Sequence, residues 1–231
     1  MKKAQLLKTE LLDYQEAWDW QRQLHSERRF GAIPDTLILT EHPHTYTIGK
    51  SGDESHLVAD EARLATEGIK LYRIDRGGDI TYHGPGQIVG YPILDLHDHY
   101  CDVQRFLRDL EEVIIRTLAE FGITAGRVEG LTGVWVDDAK VAAIGIRVSR
   151  WVTMHGFALN VNTDLSYFGQ IVPCGISDKP VTSMAKLLGH AVDFAEVQDK
   201  LAQHFAAVFG IEFVERVSVG HRVTEDTVVV S

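Results

Sequence analysis

At 231 residues, with 45 % hydrophobic and 24 % charged side chains, the chain has the composition of an ordinary globular protein and the length for one packed core. A formal net charge of −10 argues against a nucleic-acid binder, which needs a basic stripe, and no apolar run approaches the ~20 residues of a membrane span. The basic start at Lys2 and Lys3 lacks the apolar core of a signal peptide, so a cytoplasmic location is expected, where Cys101 and Cys174 would stay reduced.

Periodicity and punctuation place the elements in order. An amphipathic helix runs from Tyr14 to Arg29, with Ala17, Trp18 and Leu24 on its apolar side and Gly31 and Pro34 as stops. Strands are expected at 36–40 and 45–48, a short helix at 60–67 closed by Gly68, and an alternating strand at 69–74. The segment 88–94 reads as a strand that Pro92 assigns to a sheet edge or a bend. The longest helix spans 102–121 with Asp102 as its N-cap, and 123–128 is a further candidate strand. A hairpin follows, 133–136 and 140–148 around Asp137-Asp138-Ala139, with a third strand at 155–161. A helix capped by Thr182 or Ser183, another over 193–209, a strand at 211–213 and a tail from 218 to 231 complete the chain. No repeat or linker divides it, so residues 1–231 are read as one domain.

The densest stretch is Arg76-Gly77-Gly78-Asp79-Ile80-Thr81-Tyr82-His83-Gly84-Pro85-Gly86-Gln87, four glycines in twelve residues between strand-like runs. Such clusters mark close approach of backbone to something else. It matches no dinucleotide fingerprint, and Gly49-Lys50-Ser51 carries the tail of a phosphate loop with His44 where the first glycine is required. His42 and His44 have no cysteine or carboxylate at a familiar ligand spacing, so no metal is expected. Strict pleating of 140–148 puts Lys140, Ala142, Ile144 and Ile146 on one face and Ala143, Gly145 and Arg147 on the other. The small residues Ala142, Ala143, Gly145, Gly156 and Ala158 then leave room above the sheet for an acyl chain.

The residues able to carry chemistry have competing local readings. Cys174 sits between a rigid proline and a permissive glycine, and reads either as a buried filler, which the local pattern favours, or as a thiolate nucleophile if a cation lies near. Lys140 supplies such a cation or is a solvated hairpin-end lysine. His83 pairs with a cysteine as base or shapes the glycine loop, the second being favoured; Arg76 binds an anion, stacks in the loop or is solvated. Cys101, before the long helix, reads as a packing cysteine, with a reactive thiol at the helix N-terminus as the alternative. The run from Lys140 to Arg150 carries three cations and no acid, a basic patch on an acidic protein.

Taken together, the cluster 76–87, Gly133-Val134-Trp135, the run Lys140-Val141-Ala142-Ala143-Ile144-Gly145-Ile146-Arg147, His155-Gly156-Phe157-Ala158-Leu159-Asn160 and Pro173-Cys174-Gly175-Ile176 resemble the lipoyl(octanoyl) transferases, in the same order, from about residue 37 to 188. The resemblance implies an α+β fold with a mixed sheet, like the catalytic domain of biotin protein ligases and lipoate ligases. It implies transfer of an octanoyl group from acyl carrier protein to a lysine of lipoyl domains, in 2-oxoacid dehydrogenase complexes and the glycine cleavage H protein. Cys174 falls on the family's acyl-thioester nucleophile and Lys140 on the lysine that activates it. Arg76, Gly77, Gly78, Asp79, Ile80, Thr81, Tyr82 and His83, then Ala143, Ile144 and Gly145, then Gly156, Phe157 and Ala158, fall on its substrate-binding segments. A thioester is already activated, so neither ATP nor another cofactor is required, and the chain is read as a monomer. The competing expectations are an ATP-dependent lipoate ligase, a thioesterase or amidase, and a non-catalytic module that binds carrier protein.

Overall fold

The computed structural model describes residues 1–172 and 179–218, the last four in backbone only. Among them, ten strands form a seven-stranded mixed sheet and a separate three-stranded one. In the large sheet β1 (Lys2–Leu11) lies between β10 (Ile211–Ser218) and β2 (Asp35–Glu41), all parallel; β6 (Gln87–Ile93), β9 (Val152–Asn160), β8 (Ala139–Ser149) and β7 (Val134–Val136) continue from β2 as an antiparallel ladder. The small sheet centres on β3 (Thr45–Ile48), with β4 (Lys70–Arg73) parallel on one side and β5 (Ile80–His83) antiparallel on the other.

Each helix opens where a short polar side chain accepts a backbone N–H that the first turn leaves unpaired. Asp13 caps α1 (Tyr14–Arg29), Asp60 α2 (Glu61–Thr66), Asp102 α3 (Val103–Glu120), Ser183 α4 (Met184–Leu188) and Asp193 α5 (Phe194–Phe209). The last two end on Gly189 and Gly210, both left-handed. Helices α3 and α5 cover one face of the large sheet, where Leu39, Ile88, Val113, Ile114, Leu159 and Leu201 form the main core. On the opposite face α1 packs against β6 and β9, burying Leu24 against Ile38, Val89, Tyr91 and Met154.

Five expectations give way. Residues 2–11, read only as a basic start, form β1, whose Ala4 and Leu6 are buried. The glycine cluster contains strand β5, and 123–128 holds no strand, only a bridge from Gly126 to Trp135. Pro92 is neither at an edge nor at a bend: β6 is central, between β2 and β9. The proline is accommodated because pairing with β9 stops at Gly90–Phe157 and resumes at Asp95–Val152, so its missing N–H falls in a gap of the ladder. Within that gap Thr153 Oγ1 donates to Pro92 O (2.7 Å), and a Cβ on Gly156 would stand 2.6 Å from the Pro92 ring. Cys101 is exposed rather than packed. Among the described residues no helix is long and apolar enough to cross a membrane. Residues 227–230 of the tail lie outside the described residues.

Candidate active site

A slot of about 90 Å³ opens between the α1-facing side of the large sheet and the glycine cluster, against the ~10–15 Å³ that one water needs. Its floor is layered by the strand register. Ala143 on β8 lies opposite Ala158 on β9, and Val89 of β6 lies opposite Ala158 from the other side; Gly145 lies opposite Gly156 in the next layer, and Ile146 opposite His155 beyond it. Tyr14, Tyr91 and His155 line one end, and Lys140, Thr132 and Val181 also border the slot. From Lys140 to Gly145 the strand extends ~17 Å.

Lys140 reaches this face because the β7–β8 register shifts by one residue. Val134 pairs with Ala142 but Trp135 with Lys140, so Val141 is the extra residue on β8. The shift overturns the strict alternation expected for 140–148. Val141 and Ala142 both turn to the main core, and Lys140 joins Ala143 and Gly145 along the slot. Ala142 therefore leaves no room above the sheet. The Lys140 ammonium stands 4.8 Å from the Trp135 ring centre, beside Lys179 at 5.6 Å from the same ring. Gly133 permits the close approach of this strand: φ is +122°, and an added Cβ would stand 2.7 Å from Ala142 O. Its N–H donates to Glu111 Oε1 (3.0 Å), a fully buried carboxylate of α3 that also accepts from Arg108 and Arg127. The Lys140 backbone is held by the segment that re-enters at Lys179. Its N–H donates to Pro180 O and its carbonyl accepts from Thr182 N, both at 2.9 Å.

The glycine cluster caps the slot. Gly77 N donates to Ile146 O (2.8 Å), and a Cβ on Gly145 would stand 2.8 Å from Gly77 O, so β8 needs a glycine there for the loop to dock. Arg76 is buried, its guanidinium donating to Thr47 O and Thr47 Oγ1 (2.8 and 3.0 Å) and to Gly77 O, which removes the solvated reading. Gly78, Ile80, Thr81 and His83 line the slot with Arg76 and Asp79; Gly77 and Tyr82 do not. Tyr82 turns into the core of the small sheet, stacked on Tyr167. Asp79 accepts from His56 Nδ1 (2.5 Å) and Asp53 N (3.2 Å), and His56 O accepts from Val172 N (2.7 Å), which ties the loop to the last described residue before 173.

His83 is not placed as a base. Gln87 Nε2 donates to Tyr82 O and Asn160 Oδ1, so Gln87 Oε1 accepts from His83 Nδ1–H (2.9 Å). Thr47 Oγ1 lies 3.3 Å from Nε2, the one remaining acceptor. Burial, with His42 and Arg76 nearby, holds the His83 pKa well below the usual histidine range, so the ring is neutral with both nitrogens engaged. His42, once a metal candidate, donates from Nδ1 to Leu12 O (2.6 Å) and accepts from Tyr91 OH (2.7 Å); burial pushes its pKa down to about 4.

The slot also contains residues that spacing alone did not single out. Tyr14, Val89, Tyr91 and His155 line it. His155 is buried, has φ of +59° and pairs through Nε2 with Asp75 (2.8 Å); that hydrogen bond is the main cause that pushes Asp75 down to about 2. Left-handed backbone at a histidine inside a strand is strained, and such strain concentrates at functional sites. Its trace in the sequence is the His-Gly pair in the middle of a strand-like run. The basic patch disperses: Lys140 and Arg150 stand ten residues apart on extended chain, ~33 Å, and Arg147 is paired with Asp75 at 2.9 Å. Cys174 lies outside the described residues.

The family described as lipoyl protein ligase A/B catalytic domain matches residues 13–206, and the chain belongs to it. An octanoyltransferase of Cytophaga hutchinsonii is 50 % identical over 218 residues, covering 86 % of this chain and 89 % of that protein. One of Solibacter usitatus is 52 % identical over 208 residues, covering 90 % and 94 %. Within the family this chain is an octanoyltransferase, and thus an acyltransferase. The expected α+β fold is also found in solved structures. A putative lipoate protein ligase of Thermoplasma acidophilum with bound lipoic acid superposes with a TM-score of 0.73 at 17 % identity, covering 95 % of this chain and 90 % of its own. The biotin protein ligase of Aquifex aeolicus superposes with 0.54 at 14 % identity, covering 91 % and 71 %.

Proposed function

We propose that residues 1–231 act as one catalytic unit that moves an octanoyl group from octanoyl-acyl carrier protein to the target lysine of a lipoyl domain through a thioester on Cys174. The observation that carries this reading is the position of Lys140: a register shift brings an ammonium onto the face of a slot floored by Ala143, Gly145 and Ala158. Support also comes from the pairing of Lys140 with Val181, which ties the chain just beyond the Cys174 stretch to the lysine's own strand.

In the first half-reaction the Cys174 thiolate attacks the thioester carbonyl, the bond to the carrier thiol breaks, and that sulfur leaves with a proton from the Lys140 ammonium. Lys140, now neutral, takes a proton from the acceptor lysine, whose amine attacks the acyl-cysteine. An amide forms and the Cys174 thiolate is released. A thioester is exchanged for a thioester, so the first step is nearly balanced in free energy and draws on no nucleotide. Arg76, Gly78, Ile80, Thr81 and His83 form the roof over the acyl chain, with Ala143, Ile144, Gly145, Phe157 and Ala158 below. Gly77, Asp79, Tyr82 and Gly156 shape this roof and floor through the contacts described above.

The test supplies a lipoyl domain with octanoyl-carrier protein without ATP, and in parallel with octanoate plus ATP. Octanoylation in the first arm alone is expected. Modification in the second arm alone would identify a ligase, and release of free octanoate in the first a thioesterase.

A further inference from the structure

One set of buried polar groups is not used by the chemistry above. Along the wall of the slot Arg76 donates to Thr47, Thr47 to His83, His83 to Gln87, Gln87 to Asn160 and Asn160 to the backbone of Thr182. The bonds run in one consistent direction, and Thr47, His83, Gln87, Asn160 and Thr182 are all buried. Its last link decides the matter. Asn160 Nδ2 lies 3.0 Å from Thr182 O, and Thr182 N donates to Lys140 O (2.9 Å).

We infer that Asn160, oriented by Gln87, is a positioning residue for Lys140: it fixes the 180–182 segment that pairs with the Lys140 backbone, and so sets where the ammonium stands over Trp135. The inference rests on the role of Lys140 proposed above. An amide suits position 160 because its Oδ1 accepts from Gln87 while its separate Nδ2 donates to Thr182 O; a carboxylate has no donor for the second bond. Fixing the backbone matters because a lysine has four rotatable side-chain bonds, and an error of about 1 Å at a catalytic group costs on the order of 10²-fold in rate.

The test measures kcat, KM and the pH profile of octanoyl transfer in the full chain for Asn160→Ala, Gln87→Met, Lys140→Ala and Asn160→Ala/Lys140→Ala, with melting temperatures alongside. Asn160→Ala is expected to lower kcat on the order of 10- to 10²-fold with KM for the octanoyl donor within about twofold, and to displace the pH profile. In the Lys140→Ala background the same change is expected to have no further effect, because its action passes through the lysine. Gln87→Met, one link further away, gives a smaller loss of the same kind and carries the test if Asn160→Ala does not fold. Multiplied losses in the double variant, or an unaltered kcat and profile in the folded single variants, overturn the inference while leaving the role of Lys140 intact. Full activity in Lys140→Ala overturns both.

Discussion

The same central strands present two unlike faces. Toward α3 and α5 they bury Leu39, Ile88, Ala142 and Leu159 among aliphatic side chains and phenylalanines. Toward α1 and the glycine cluster, alternate residues of those strands give Val89, Tyr91, Ala143 and Ala158 around a slot, with three histidines nearby, His42, His83 and His155, whose pKa values burial lowers. On this second side Trp18 Nε1, Gln21 Nε2 and His155 Nδ1 have no hydrogen-bond partner among the described residues, and His155 is left-handed. One face supplies the stability and the other spends part of it on space, polarity and strain.

The contrast breaks most readily on the helical face. Leu159→Ala removes a fully buried side chain there and is expected to cost about 2–5 kcal/mol of unfolding free energy, with octanoyl transfer per folded molecule unchanged. Denaturant unfolding and kcat measured on one preparation check this; an equal loss of kcat would show that the faces are not separable. On the slot face Ala143→Leu is expected to reduce octanoyl transfer by about 10- to 10²-fold while sparing a butanoyl donor, with a smaller change in stability. Competition between the two donors reads the ratio, and an unchanged preference would place the acyl chain elsewhere. The smallest effect concerns pH. His42 titrates near 4 in the fold and near its ordinary value when unfolded, so the unfolded chain binds more protons between those values and stability falls as the pH drops from about 6.5 to 4. His42→Gln is expected to flatten this slope by roughly 2 kcal/mol between pH 7 and 5, leaving the shares of His83 and His155 in place. Melting temperatures at pH 7 and 5 check it; identical slopes would mean that the imidazole is not kept neutral by burial.

Helix starts were legible because an aspartate or serine before an apolar-periodic run has one local use, and Asp60, Asp102 and Asp193 cap the helices expected of them. β1 was not, since its Lys-rich run becomes a strand only through β2 and β10, and β10 comes from the far end of the chain. Strict alternation put Lys140 on the wrong face because a one-residue register shift is a property of two strands together and leaves no mark in either. Gln87 and Asn160 stood within the recognised motifs, but their partnership is a cross-strand one seen only in the register. The fate of Pro92 likewise depended on a gap in the ladder beside it.

The central claim is the acyl-enzyme on Cys174. Intact-mass measurement after mixing the protein with octanoyl-carrier protein, without acceptor, is expected to show one added octanoyl group that hydroxylamine removes, that passes to a lipoyl domain on its addition, and that is absent in Cys174→Ala. A Cys174→Ala protein that still octanoylates the lipoyl domain at the wild-type rate would contradict the account.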